Sequence, residues 1–505
     1  MIKNKEQSLF KFTGQLGFAG IFSKLISLPH SIVYAKFLMP SGYGILQLIN
    51  VIISYFGYIQ MGILQAVTRN VPKAYSKNNF KKAKEIKDLA FTWLSSLTFL
   101  GLIFLWIFYL TNKEFKSTFE TFYIVMLSFI IITHQLNNFM KPILKADGEF
   151  DTIGKIAIFN SLTSSIIGIA MVLLFNLKGA IIAIFINNFF LFVVSIFYYQ
   201  KYLPKIFFRF NLLYEQMSKG LLIYIYRRSE EIIKTLSLII IGYYYGVETV
   251  GIFSFGFISL NSVYKYSSSI RIYFYREIMI QNELENKYFL KLFSLPHIFN
   301  LFFNTILLVV FSIIYLCIIY LFLPKYIDSI PVIYFSLFGL IIFNSRSFCN
   351  QYFDATNQLK KLIIYILFGL VLGLCLCIYF SYFKFKIYFI AISCSFCYSI
   401  MSILSIYNAF LSVTNSSGTS FLMILKIIFI SLMNSLYIYQ LSLLIEQYHS
   451  NNYLYIILML VLSLPIIFVI NYLIFSFFFR NEKFMTIFNK YFKIFINEFP
   501  RKISF

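Results

Sequence analysis

The sequence predicts an all-α, polytopic membrane protein, and three observations predict it. Of 505 residues 59% are apolar, where a soluble domain averages about 45–50%. Only 12% are charged, against a usual share of about 25%. The apolar residues gather in stretches longer than about 18, enough for a helix to cross a hydrocarbon core. Disorder, a coiled coil and a secreted disulfide scaffold are excluded. No connection is long enough to fold as a soluble domain.

The stretches, taken in order, give fourteen predicted spans. Six make a first set: Phe12–Leu38, Tyr43–Val67, Leu89–Leu110, Glu120–Met140, Ile156–Phe175 and Ala180–Tyr199. Six make a second: Leu221–Gly246, Val250–Ile270, Ile298–Leu323, Pro331–Phe353, Leu362–Tyr382 and Ile387–Leu411. Phe421–Ile445 and Tyr453–Phe479 come last. Phe12–Leu38 is too long for a signal h-region and has no cleavage site, so it reads as a retained span. The run Thr235–Gly246 is too short to cross about 30 Å of hydrocarbon at 1.5 Å per residue, so the seventh span must take in Lys234 and Arg228.

Charge orients these spans. There are 43 basic and 20 acidic residues, a net +23. With an inside N-terminus, the inner segments hold 29 Lys and Arg and the outer loops 6. Cytoplasmic loops carry such an excess, so both termini are expected on the cytoplasmic side. The same bias accounts for the basic balance without nucleic acid. One inner loop, Ser412–Thr419, carries no basic residue and is the least supported.

The chain repeats itself. Ala35–Ser54 (AKFLMPSGYGILQLINVIIS) matches Gly242–Asn261 (GYYYGVETVGIFSFGFISLN), with Gly44 on Gly251 and Ser54 on Asn261, an offset of 207. Ala146–Phe150 matches Ala355–Leu359 at 209. Spans one to six therefore repeat as seven to twelve in the same orientation. The expected division is a six-helix lobe at 1–200, a second at 201–411, two added helices at 412–479 and a basic cytoplasmic tail at 480–505. Transporters built from such halves bind substrate between them.

Charge inside a span is costly, about 2.5–3.5 kcal/mol on insertion scales, and marks a cavity or a partner. Lys24 lies halfway along span one, on one helical face with Ser27 and Ser31, and no acid occurs between Glu6 and Glu85. Span two carries a stripe of Gln47, Asn50, Ser54 and Gly57. Span seven holds Arg227, Arg228, Glu230, Glu231 and Lys234; Arg227 with Glu231, and Glu230 with Lys234, are spaced to pair. Asn261 and Lys265 in span eight and Arg346 in span ten complete the set. Lys265 and Arg346 could equally snorkel to the surface. The expected cavity is polar and net positive. Its substrate-binding residues would be Lys24, Arg227, Arg228, Lys234, Lys265 and Arg346, and Arg and Lys hold phosphate oxygens. Ser27, Ser31, Gln47, Asn50, Ser54, Glu230, Glu231 and Asn261 would line it. His30 and His134 read as polar packing.

Several chemistries are missing from the sequence. GxxxxGK[ST] and HExxH do not occur. The six cysteines sit in apolar surroundings, and Cys394 and Cys397, a CxxC inside a span, read as small packing residues. No cofactor and no metal are expected. Outer loops are short (Asn112–Phe119 is among the longest), so a membrane polymerase or glycosyltransferase is a remote alternative.

Against this background, AKFLMPSGYGILQLINVI with GILQAVTRNVPKAYSKNNFKKAKEI, and IGYYYGVETVGIFSFGFISL later on, resemble the polysaccharide-export flippases of the multidrug/oligosaccharidyl-lipid/polysaccharide (MOP) exporter superfamily. The resemblance implies about fourteen helices, two six-helix lobes and a cationic central cavity. It implies translocation of an undecaprenyl-pyrophosphate-linked sugar repeat unit, O-antigen or capsule, from the inner to the outer leaflet of a bacterial cytoplasmic (inner) membrane. The partners it implies are that lipid-linked oligosaccharide, membrane lipid and other polysaccharide-assembly proteins, with no bond made or broken. The family's basic residue in span one matches Lys24, and its basic second-lobe wall matches Arg227, Arg228 and Lys234. Glu230 and Glu231 depart from that wall. A peptidoglycan-precursor flippase would share this logic, and a drug exporter of the superfamily would typically carry an acid in the first lobe.

Overall fold

A computed structural model describes residues 2–198, 204–261, 286–356, 358–448 and 453–479, and these residues form helices without a strand. Ten helices among them are long and apolar enough to cross a membrane. The protein is a multi-pass membrane protein of the all-α class.

The first two predicted spans run as one helical stretch, α1 (Ile2–Tyr58), broken at Met39 (φ 57°, ψ 172°). Ser31 and Asn50 line one pocket, so the two limbs lie side by side as a hairpin. Pro40 favours the extended ψ at the residue before it. The fifth and sixth spans do the same in α6 (Phe150–Tyr198), broken at Asn176 (φ 49°), a residue type that tolerates positive φ. Between them lie α2 (Ile63–Ser76), α3 (Phe80–Thr111), the short α4 (Lys113–Thr118) and α5 (Thr121–Ala146).

The second half starts with α7 (Phe210–Tyr245) and α8 (Val247–Asn261), joined at Gly246 (φ 88°, ψ 172°). Gly246 lies 207 residues after Met39, the offset read from the sequence repeat, and has the same ψ. Then come α9 (Asn286–Phe322), a 3-10 turn (Pro324–Ser329), α10 (Ile330–Ser345), α11 (Ser347–Ala355), α12 (Leu359–Tyr382) and α13 (Tyr388–Thr414). The last two helices are α14 (Ser417–Tyr448) and α15 (Tyr453–Phe478). The uncharged loop at Ser412–Thr419 is a tight turn with Asn415 at φ 52°.

Three predicted boundaries need correction. Span two was expected to continue to Val67, but its helix stops at Tyr58, because Met61 (φ 46°) and Gly62 (φ 85°) turn the chain. Beyond that turn, α2 buries Ile63, Leu64, Val67 and Val71 and carries Arg69 and Lys73, so it is amphipathic rather than spanning. The expected loop Asn112–Phe119 contains α4, capped by the Asn112 side chain accepting from the Phe115 N–H at 2.9 Å. Span ten is interrupted for one residue at Arg346 (φ −67°, ψ −9°), between α10 and α11.

Tail-to-tail burial of apolar surface gives helices little reason to associate in lipid, so close contact at small residues matters more. Gly339 meets Ser395, and Gly369 and Gly373 meet Cys397. Cys397 is thus a small residue at a helix crossing. The connection between the halves is anchored on α3: Asp88 accepts the Lys205 N–H at 3.0 Å and Thr92 Oγ1 accepts that of Phe207 at 2.8 Å. Leu212 and Leu213, at the start of α7, share a buried cluster with α2, α3, α5 and α6. Farther on, Ile233, Leu238 and Ile241 of the same helix join the large core of the second half.

Candidate functional site

The two hairpins α1 and α6 line a half-open pocket of about 300 Å³. Its wall comes from both limbs of each: His30, Ser31 and Tyr34, then Gln47 and Asn50, then Ser164, then Asn187 and Asn188. Ser31 is eight residues before the break at Met39 and Asn50 eleven after it, about 12–17 Å along the helices at 1.5 Å per residue. Half of a core of about 30 Å is the same depth. The pocket therefore lies near the middle of the spans, where transporters of repeat architecture hold substrate.

Its electrostatics differ from a phosphate cradle. Among the described residues, every polar group on the wall is an amide, a hydroxyl or the His30 ring. The amides are held from behind. Asn187 donates to Asn160 Oδ1 and accepts from Thr163 Oγ1, both at 2.8 Å. Asn137 donates to the Asn188 carbonyl at 2.8 Å. Asn50 differs: its carbonyl accepts from Ser54 Oγ at 2.8 Å, while its side-chain amide takes no hydrogen bond from the described residues. Gly168 of α6 makes room for the opposite wall. A Cβ there would lie 2.6 Å from His30 Nε2 and 2.9 Å from the Tyr34 hydroxyl.

The sequence-derived candidates divide. Ser31, Gln47 and Asn50 meet in this pocket, and Ser54 sits one turn beyond it. Lys24 and Ser27 fall on the first limb of α1, Arg227 and Glu230 on α7, and Asn261 at the end of α8, but their side chains lie outside the described residues, as does all of Lys265. Arg228 reaches Glu231 at 2.6 Å, one helical turn away; the expected pair of Glu231 with Arg227 lies outside the described residues, as the Arg227 side chain does. Arg228 also stands over the Tyr58 ring, 5.4 Å from its centroid, and beside Gly57. Lys234 is half-buried on α7. Arg346 does not snorkel: it is fully buried at the α10–α11 junction, its guanidinium 4.4 Å from the Phe343 ring centre. Nearby Asn300 donates to Ser347 Oγ at 2.9 Å.

The far end of the second α1 limb is closed by side chains. Gln135 donates to the Phe56 carbonyl and the Tyr224 hydroxyl to that of Tyr58, satisfying oxygens that a helix end leaves open. Gly62 and Gly220 touch backbone to backbone there, a Cβ on Gly62 falling 2.8 Å from the Gly220 carbonyl oxygen.

The sequence reading missed Asn187, Asn188, Ser164 and the supporting Asn160, and it took His30 for packing alone. Their signal was present: Asn187-Asn188 interrupts a largely apolar span, and Asn160 opens a polar cluster with Ser161, Thr163, Ser164 and Ser165 in the one before it. Among the described residues no cluster of His, Cys, Asp or Glu could hold a metal.

A bundle of repeated helix hairpins surrounds a mid-depth polar pocket. Its fold is that of the MOP superfamily. The structure of the lipid II flippase MurJ in an inward closed conformation matches at TM-score 0.61 and 16% identity, over 92% of this chain and 98% of that one. An inward-facing multidrug resistance MATE family transporter of the MOP superfamily matches at 0.57 and 13%, over 81% and 95%. A MOP superfamily transporter from Pyrococcus furiosus, described by the reverse polarity of its binding pocket, matches at 0.57 and 12%, over 80% and 96%. No characterised protein matches by sequence alone. Residues 33–270 match the polysaccharide biosynthesis protein family.

Proposed function

We propose that this protein carries an undecaprenyl-pyrophosphate-linked oligosaccharide, an O-antigen or capsule repeat unit, across the bacterial cytoplasmic membrane by alternating access. The observation that carries the reading is the polar pocket at mid-depth between the α1 and α6 hairpins. It offers hydrogen bonds inside the hydrocarbon region, which a saccharide needs and a lipid tail does not. Residues 1–200 and 201–411 act as two lobes, 412–479 as an added pair of helices and 480–505 as a cytoplasmic tail, with both termini in the cytoplasm. The prenyl chain stays in lipid while the headgroup passes between the lobes. Lys24, Arg227, Arg228, Lys234, Lys265 and Arg346 serve the diphosphate; a charge is tolerated at that depth only with a partner or water.

The test is a chromosomal Lys24→Ala substitution with membrane abundance checked. The expected result is loss of surface polysaccharide with lipid-linked repeat units accumulating inside. Normal surface polysaccharide would remove Lys24 from the mechanism. Accumulation of peptidoglycan precursor instead would make the substrate lipid II, and sensitivity to cationic drugs alone would make the protein a drug exporter.

A further inference from the structure

We propose that the loop between α12 and α13 holds an anionic phospholipid, its phosphate on Lys386 and its glycerol end and upper acyl chains on the rings beside that lysine. Depth is the first argument. Residues 362–383 carry no charge, and at 1.5 Å per residue they span about 33 Å, just over the roughly 30 Å of a hydrocarbon core. Lys360 and Lys361 bracket the stretch on one side, Lys384 and Lys386 on the other. The loop therefore lies at headgroup level, where a lysine reaches phosphate while its stem stays on apolar surface.

The surface at that level is aromatic. Tyr379, Tyr382, Phe383 and Phe385 are all exposed. Between ring centres, Phe383 lies 4.9 Å from Tyr379 and 5.3 Å from Tyr382, and Phe385 lies 6.5 Å from Tyr379. Rings with one apolar body and one polar tip settle where hydrocarbon gives way to water.

The loop is also held in shape, and holding it occupies only one of its two lysines. Lys384, at φ 53°, donates to the Tyr244 carbonyl and lies over the Tyr244 and Tyr245 rings, 5.7 and 5.3 Å from their centres. The Tyr245 hydroxyl donates to the Phe385 carbonyl at 2.6 Å and to that of Phe380 at 3.2 Å. Lys386 is exposed, and its ammonium makes no hydrogen bond or ion pair among the described residues. In the orientation expected from loop charge this end is the outer one, so the cytoplasmic excess does not account for that lysine. An ammonium on a fixed loop at headgroup level offers a phosphate a point charge with little ordering left to do.

The experiment compares two photoactivatable lipids on the full-length protein in phosphatidylcholine nanodiscs. One is phosphatidylglycerol and the other phosphatidylcholine, each with a diazirine at the glycerol end of an acyl chain, and peptide mapping after irradiation reads the adducts within residues 379–388. In wild type the phosphatidylglycerol probe should label that segment about fivefold more than the phosphatidylcholine probe. Lys386→Gln should bring the ratio to about one, with an unchanged melting temperature showing that the variant is folded. Lys113→Gln, an exposed lysine at the same end of the first half, should leave the ratio as it is. Equal labelling by the two probes in wild type makes the patch an aromatic anchor without a lipid preference and overturns the proposal. It is overturned as well by absence of adducts in this segment, by a preference that survives Lys386→Gln, or by one that Lys113→Gln removes.

Discussion

Gly44 and Gly251 pack the two halves together at equivalent points. A Cβ on Gly44 would run into the carbonyl of Val247, and one on Gly251 into that of Pro40, with the Gly44 nitrogen 3.1 Å away. Val247 is Pro40 moved by 207 residues, and Gly251 is Gly44 moved by the same number. A contact in which i meets j′ while j meets i′ is what a two-fold axis produces. Tyr43, Phe255 and Tyr326 pack around it, their ring centres 5.0–6.3 Å apart, and the Tyr326 hydroxyl donates to the Ala35 carbonyl at 3.1 Å.

Gly251→Val and Gly44→Val should therefore behave alike. Each places a branched side chain where only backbone fits, so the halves cannot close at this end, and transport should fall at least tenfold with membrane abundance retained. Gly242→Ala is the control, since a Cβ there meets only ordinary contacts at 3.5 Å and beyond. Export of surface polysaccharide, measured beside protein abundance, checks this. Two unequal valine variants would contradict the symmetry.

A second set of expectations concerns Lys87, which pairs with Asp147 at 2.7 Å with both side chains nearly buried, 4% and 12% exposed. The Tyr75 hydroxyl donates to the same carboxylate at 2.9 Å and accepts from Lys87. Asp147→Ala would leave the lysine buried without its carboxylate, a loss of about 3–5 kcal/mol. Thermal unfolding in detergent should show a large drop, and Lys87→Met added to it should restore much of the loss. If the double variant is no better than the single, the pair is not what holds α3 to the α5–α6 turn.

Tyr75 adds a pH dependence. Burial, and then the Asp147 carboxylate beside it, push its hydroxyl well above the usual tyrosine range. An acid harder to ionise in the folded state leaves stability untouched below the unfolded value of about 10 and lowers it as pH rises beyond that. The stability difference between wild type and Tyr75→Phe should be flat from about pH 6 to 9 and shrink above about pH 10. Melting curves across that range decide it.

The pair of helices α14 and α15 is joined by reciprocal amides. Asn434 donates to Asn471 Oδ1 at 3.1 Å and Asn471 to Asn434 Oδ1 at 2.9 Å, both side chains fully enclosed. Interhelical hydrogen bonds in membranes contribute about 0.6 kcal/mol on average and up to about 1.7. Asn434→Leu should cost about that much, and the double leucine variant less than the sum of the singles. A double-mutant cycle on unfolding measures the coupling; strict additivity would contradict the pairing.

Scale governs how much of the fold the sequence reveals. Span positions were legible because twenty apolar residues in a row have few other uses, and the repeat was legible because Met39 and Gly246 mark equivalent turns with a short shared pattern around them. Helix ends were less so: Tyr58 was overrun because Ile63, Leu64 and Val67 continue the apolar count while Met61 and Gly62 turn the chain. The pocket was half legible. Ser31, Gln47 and Asn50 stood out as polar stripes, but charge drew attention away from Asn187 and Asn160, whose amides join two limbs of α6. Spacing by i,i+4 left out one partner of Glu231, because Arg228 at i,i+3 is as near along the helix.

The central claim is that the protein moves a lipid-linked saccharide between leaflets without altering it. The direct measurement is reconstitution of the purified chain into vesicles loaded with a fluorescent undecaprenyl-pyrophosphate-linked saccharide, followed by quenching of the outer leaflet alone. Wild type should expose the inner pool to the quencher, Lys24→Ala should not, and the recovered lipid should be chemically unchanged. Vesicles in which wild type leaves the inner pool protected, or in which the saccharide is cleaved or extended, would contradict the account.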